Sequence, residues 1–160
     1  MDKLKKISVV IPARNEEETI GLVLDDLNKV IAGLKEYSFE VIVVDDKSQD
    51  ATAETAVKNG AKVICNKGRS GKGNALVCGF KEATGEYIVM MDADYSHKSE
   101  DIPALIKPLE SGAGLVVGSR IYGGSDEYTR VRAFGNIFLT SSDATYNLTL
   151  VLSLPIIICS

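Results

Sequence analysis

The stretch Tyr87-Ile88-Val89-Met90-Met91-Asp92-Ala93-Asp94 runs from an apolar segment straight into a pair of carboxylates. The turn Thr84-Gly85-Glu86 opens the apolar run and the acids close it, so it reads as a buried strand. Two carboxylates separated by one residue fall on the same side of an extended backbone, and Ala93 between them adds no bulk. Both can therefore face one cation. Oxygen-only ligands suit Mg2+ or Mn2+, hard ions that bind through one or two carboxylates and complete their shells with water and phosphate oxygens. Taken alone, an Asp-x-Asp is equally a solvated acidic turn, and its reading depends on the rest of the chain.

Working outward, the same grammar repeats. Ile7-Ser8-Val9-Val10-Ile11 is a β-branched strand that Pro12 is expected to stop, and Asn15 is expected to cap a helix with an apolar stripe at Ile20, Leu24, Leu27 and Ile31. Phe39-Glu40-Val41-Ile42-Val43-Val44 is a second strand, ended by Asp45-Asp46, and residues 52–58 form a helix stopped by Asn59-Gly60. Residues 61–65 give a third strand, 71–83 a helix, 102–109 a helix with Pro103 in its first turn, and 115–118 a fifth strand. Alternating strands and helices predict an α/β fold: a mostly parallel, Rossmann-like sheet flanked by helices on both faces.

At 160 residues, 45% hydrophobic and 25% charged, the chain can bury a core. A net charge of −4 without a basic stripe argues against a nucleic-acid partner. Cys65, Cys78 and Cys159 lack metal or disulfide spacing, which fits a reducing cytoplasm. The apolar stretch 148–159 is interrupted by Pro155 and too short to span a bilayer; a core strand, an interface and a membrane-surface segment all remain open for it.

In a parallel sheet, ligands gather beyond the carboxyl ends of the strands. The polar clusters sit there: 12–16, then Asp45, Asp46 and Ser48, then 66–72, 92–97, and Ser119 with Arg120. One shared site explains them better than separate loops. Rival motifs fail. Gly68-Arg69-Ser70-Gly71-Lys72-Gly73 misplaces the first glycine of a P-loop and lacks its Ser or Thr, and Pro12-Ala13-Arg14-Asn15 lacks the glycines of a dinucleotide fingerprint. A receiver domain would leave Asp92 and Asp94 unexplained.

Five segments taken in order, Ile11-Pro12-Ala13-Arg14-Asn15-Glu16, Val43-Val44-Asp45-Asp46-Lys47-Ser48, Gly71-Lys72-Gly73-Asn74-Ala75, Met91-Asp92-Ala93-Asp94 and Gly118-Ser119-Arg120, resemble the motifs of family-2 glycosyltransferases with the GT-A fold. They are most similar to the dolichyl-phosphate mannose or glucose synthase branch. The resemblance implies an inverting transferase that takes a sugar from a nucleotide diphosphate sugar of the GDP-mannose or UDP-glucose type. The acceptor it implies is a polyprenyl or dolichyl phosphate, at the cytoplasmic face of a membrane. By position, Pro12, Ala13, Arg14 and Glu16 would border the nucleotide, Val44 and Asp46 the base, and Lys72 and Ala93 the donor. Asp92 and Asp94 would hold Mg2+ or Mn2+, with Ser96 as a substitute third ligand where relatives carry Gln. Arg120 and Arg132 (or Arg130) would meet phosphate or acceptor, with Asp94 and Arg120 the catalytic pair.

The resemblance covers roughly residues 6–136, which defines a nucleotide-sugar-binding domain, 1–136, followed by an apolar segment, 137–160, that reads as a shortened acceptor side. No general base is identifiable; Asp126 and Asp143 are candidates by proximity alone. His97, the single histidine, is open to three readings: a ligand, an orienting group, or a loop histidine simply bonded to a carboxylate. The expectation is a chain that binds donor and transfers sugar poorly or not at all, with 148–159 partly uncovered and favouring self-association or peripheral membrane contact. The alternative is a non-catalytic nucleotide-sugar-binding domain, or a donor-binding fragment active only in an assembly.

Overall fold

A computed structural model describes residues 4–118 and 156–159. The strands are β1 (Lys5–Ala13), β2 (Tyr37–Asp45), β3 (Lys62–Cys65), β4 (Tyr87–Met90), β5 (Leu115–Val117) and β6 (Ile156–Ile158). Four helices join them: α1 (Ile20–Gly33), α2 (Thr52–Lys58), α3 (Lys72–Glu82) and α4 (Ile102–Glu110), the last preceded by a 3-10 turn at Ser99–Asp101. The strands form one six-stranded sheet in the order β3-β2-β1-β4-β6-β5, and all its pairings are parallel.

Strand periodicity splits the core into two layers. Ile7, Val9 and Ile11 project to one face, where they meet Ile20, Leu24 and Leu27 of α1 and Ile102, Ile106 and Leu109 of α4. Val10, with Ile42, Val44 and Ile88, projects to the other and meets Ala75 and Leu76 of α3. Gly79 lets α3 sit low on this second face, because a Cβ there would lie 2.3 Å from Val10 Cγ1 and 2.9 Å from Val44 Cγ2. The low seat of α3 holds its first residue, Lys72, against Asp92 beyond the end of β4.

The chain builds β1, β2 and β3 in one direction, then crosses back to place β4 on the other side of β1. The crevice between the carboxyl ends of β1 and β4 is thus the point where strand order reverses, the usual ligand position in open α/β sheets.

Two sequence expectations are corrected and one left open is decided. Pro12 does not stop β1; it pairs in register with Val44. The Val10 carbonyl accepts the Met91 N–H on the β4 side, so Pro12, two residues on, faces that same side after β4 has ended at Met90, and its missing N–H costs no ladder bond. Asn15 does not cap α1, which begins at Ile20 after Thr19. Instead Asn15 takes a positive φ of 54° and its Oδ1 accepts the Gln49 N–H, tying the loop after β1 to the loop after β2. Finally, of the readings open for the apolar terminal segment, the core strand holds for Ile156–Ile158, an internal strand of the sheet with Ile157 and Cys159 buried.

At the opposite end of the sheet, Glu40 accepts hydrogen bonds from Ser8 and Thr84 and pairs with Lys6 at 2.8 Å. Burial pushes its carboxyl up, but Lys6, Ser8 and Thr84 overcompensate and hold it at about 2, against an ordinary 4.5. A depressed carboxyl contributes stability above its unfolded value and loses it as pH falls through the folded one. The window here runs from about pH 4.5 down to about 2. With the Lys6 side chain 37% exposed, the screened contribution is about 1–2 kcal/mol. Denaturant unfolding of Glu40→Gln should show that loss at pH 7 and a flatter acid limb; matching curves at both pH values would contradict it.

Candidate functional site

Beyond the carboxyl ends of β1, β2, β3 and β4, four loops are cross-linked by side chains. The Asp46 N–H donates to the Ala13 carbonyl and the Asn66 N–H to the Asp45 carbonyl, continuing the ladders past the strands. Asp45 Oδ1 accepts the Ser48 N–H, Ser48 Oγ accepts the Asn15 N–H, and Thr52 Oγ1 accepts the Glu16 N–H.

Asp46 is the hub of the loop after β3. It is 4% exposed, Oδ1 accepts Asn66 Nδ2 at 2.6 Å, and Oδ2 accepts Ser70 Oγ at 2.8 Å and the Gly71 N–H at 2.7 Å. Burial raises this carboxyl, yet the bonds from Ser70, Asn66 and Gly71, with the Arg14 charge, bring it below the usual range. Arg14 reaches the same hub, its Nη1 donating to Ser70 Oγ at 2.9 Å. Spacing alone did not reveal Asn66 and Ser70 as partners of Asp46. Their only signal is a polar run after a strand, which does not say where its side chains close.

The carboxylates that opened the reading lie past β4. Asp92 is partly buried and receives Lys72 Nζ at 2.6 and 2.8 Å on its two oxygens. Asp94 is exposed, and its Oδ1 accepts the Ser96 N–H at 2.9 Å. Burial raises the Asp94 carboxyl, but the Ser96 bonds, with the Lys72 charge, carry it below its ordinary value. Lys72 thus lies in the field of both acids. Tyr95 takes a positive φ of 61°, which folds the loop back sharply, and its hydroxyl bonds Asp26 on α1.

The donor set fits a hard divalent cation. The acids are oxygen ligands, and an ammonium already sits on Asp92 where a divalent ion would. Among the described residues no three His, Cys, Asp or Glu side chains converge on one metal position, so such an ion would draw its remaining ligands from water and substrate.

Of the residues expected to border a nucleotide, Arg14 and Lys72 are exposed and Pro12 and Glu16 half-buried. Ala13 and Ala93 are each 3% exposed, packed in the core layer beside α1 and α4. Val44 is fully buried under α3 and has no surface to offer a base; it packs the floor instead. Arg120 and Arg132, with Ser119, Arg130, Asp126 and Asp143, lie outside the described residues.

A parallel sheet with its ligand crevice at the β1/β4 reversal, and an Asp-x-Asp beside it, has the GT-A architecture. The family model described as glycosyl transferase family 2 matches residues 8–159, and the chain belongs to that family. It is 39% identical over 127 residues to a dolichol-phosphate mannosyltransferase of Pyrococcus furiosus, covering 76% of this chain and 35% of that enzyme. An undecaprenyl-phosphate 4-deoxy-4-formamido-L-arabinose transferase of Photorhabdus laumondii is 35% identical, with 74% of this chain and 38% of that enzyme covered. Among solved structures, glucosyl-3-phosphoglycerate synthase from Mycobacterium tuberculosis, in complex with Mn2+ and UDP-glucose, superposes with a TM-score of 0.60. That match is 32% identical and covers 71% of this chain and 43% of the other. The chain therefore spans less than half the length of each of these relatives.

Proposed function

We propose that this chain forms the donor side of an inverting glycosyltransferase that moves a sugar from a nucleotide diphosphate sugar to a polyprenyl phosphate. The observation that carries the reading is the Asp92–Lys72 pair at the sheet's reversal point, with Asp94 beside it. Two acids and a mobile ammonium are the groups a metal-bridged diphosphate requires. The Mn2+ and UDP-glucose in the Mycobacterium structure, and the polyprenyl-phosphate acceptors in the names of two relatives, support the same reading.

Asp92 and Asp94 would hold Mg2+ or Mn2+, with Ser96 or water completing the protein side. When bound, the ion would offset charge building on the departing nucleoside diphosphate. Lys72, released from Asp92, would be available to the same phosphates. Arg14 borders the nucleotide from the loop after β1, while Asp46 keeps the 66–71 loop in place behind it. Arg120 and Arg132 are assigned to the phosphate and acceptor side. No base is required, because a lipid phosphate is already anionic and can attack the anomeric carbon in line with the leaving group. Work at the cytoplasmic face of a membrane suits such an acceptor, and among the described residues no helix is long and apolar enough to cross one.

Labelled GDP-mannose and UDP-glucose, each incubated with the chain and Mn2+ with and without polyprenyl phosphate, test the reading. Retention of one donor, with little or no passage of label to the lipid phase, is the expected result. Retention without passage would mark a binding unit that needs further chain or partners, and no retention of either donor would contradict the proposal.

A further inference from the structure

We infer that His97 is the positioning residue for the Asp92 carboxylate, acting through the Asp92 backbone rather than through its side chain. The inference rests on the reading of Asp92 as a metal-site acid. β4 ends at Met90; the Met91 N–H goes to the Val10 carbonyl and the Met90 carbonyl accepts the Cys159 N–H. The Asp92 N–H is the next backbone donor past that ladder, and a buried donor left without a partner is costly. It donates to His97 Nδ1 at 2.9 Å.

Two local features bring the ring back over five residues. Asp94 Oδ1 takes the Ser96 N–H, and Tyr95 adopts its left-handed φ of 61°. The imidazole is enclosed, with its side chain 8% exposed. Because Nδ1 accepts, the ring proton of the neutral form resides on Nε2. Nε2 lies 3.9 Å from Asp92 Oδ2, beyond hydrogen-bond reach. With one nitrogen accepting an amide proton and the other carrying the ring's own, neither lone pair is open to a metal. His97 instead fixes the backbone from which Asp92 leaves the loop, so that its carboxylate points to Lys72 or to a cation in its place. Supporting groups of this kind are worth about 10–100-fold in metal affinity.

The chemistry predicts which substitutions rescue. Asn carries an acceptor at the position of Nδ1, whereas Gln carries it at the position of Nε2 and Leu fills the space with no acceptor. Two readouts on the 160-residue chain test this: amide exchange at Asp92 by NMR, and binding of Mn2+ alone by electron paramagnetic resonance. H97N should keep Asp92 protected and Mn2+ affinity within about twofold of wild type, while H97Q and H97L lose the protection and weaken Mn2+ about tenfold or more. Thermal unfolding of the Asn and Gln variants, close in size, separates this from a general loss of fold. Unchanged Mn2+ affinity in H97L and H97Q, or equal losses in H97N and H97Q, would overturn the role of His97 and leave the metal reading standing. A wild-type chain that protects the Asp92 amide yet takes up no Mn2+ would overturn both.

Discussion

Alanine at Asp92 or Asp94 is expected to weaken Mn2+-supported binding of a nucleoside diphosphate by more than about a hundredfold, beyond the 10–100-fold typical of supporting groups. Because no three candidate ligands converge among the described residues, the proposed site would hold its ion by these two carboxylates, and removing either would leave one protein charge against a diphosphate. Without cation neutralisation the surviving acid also repels the phosphates. The two variants should differ in one respect. Asp92→Ala frees Lys72, which is held by both Asp92 oxygens, so some metal-independent affinity for diphosphate should persist there and be absent from Asp94→Ala. Calorimetry with and without Mn2+ distinguishes the two, and wild-type affinity in both variants would remove the acids from the site.

The second large effect is at Asp46. Asp46→Ala strips the acceptor from Asn66, Ser70 and the Gly71 N–H together and should cost about 3 kcal/mol of stability. Asp46→Asn keeps one acceptor oxygen and turns the other into a donor, which must face either Asn66 Nδ2 or the Ser70 and Gly71 donors. About 1–3 kcal/mol is expected there. Both variants should loosen residues 66–71 and weaken nucleotide binding in parallel with stability, because Arg14 is anchored through Ser70. Unfolding and limited proteolysis provide the measurements. If Asp46 instead reads a base N–H, Asp46→Asn would lose nucleotide affinity at unchanged stability.

The fold was legible because its code is short-range. Runs such as Val9-Val10-Ile11 are apolar on consecutive residues, which only a strand buried on both faces accommodates, and both faces are covered here. The acids after β4 were legible for the same reason, lying next to each other in sequence. What escaped was long-range or geometric. Pro12 looked like a strand end because linear reading does not show that β4 stops short of it. Asn15 looked like a helix cap because its bond to Gln49 crosses 34 positions. Asp46 looked like an open acceptor because its donors lie 20 to 25 residues away. The strand at 156–158 was ambiguous since three isoleucines suit an interface as well as a sheet, and only its slot between β4 and β5 decides.

Calorimetric titration of UDP and of GDP into the wild-type chain, in Mn2+ and again in EDTA, tests the donor site most directly. Binding of at least one nucleotide in Mn2+, lost in EDTA, is the predicted result. Equal binding in both conditions, or no binding of either nucleotide in Mn2+, would contradict a metal-bridged diphosphate site at Asp92 and Asp94.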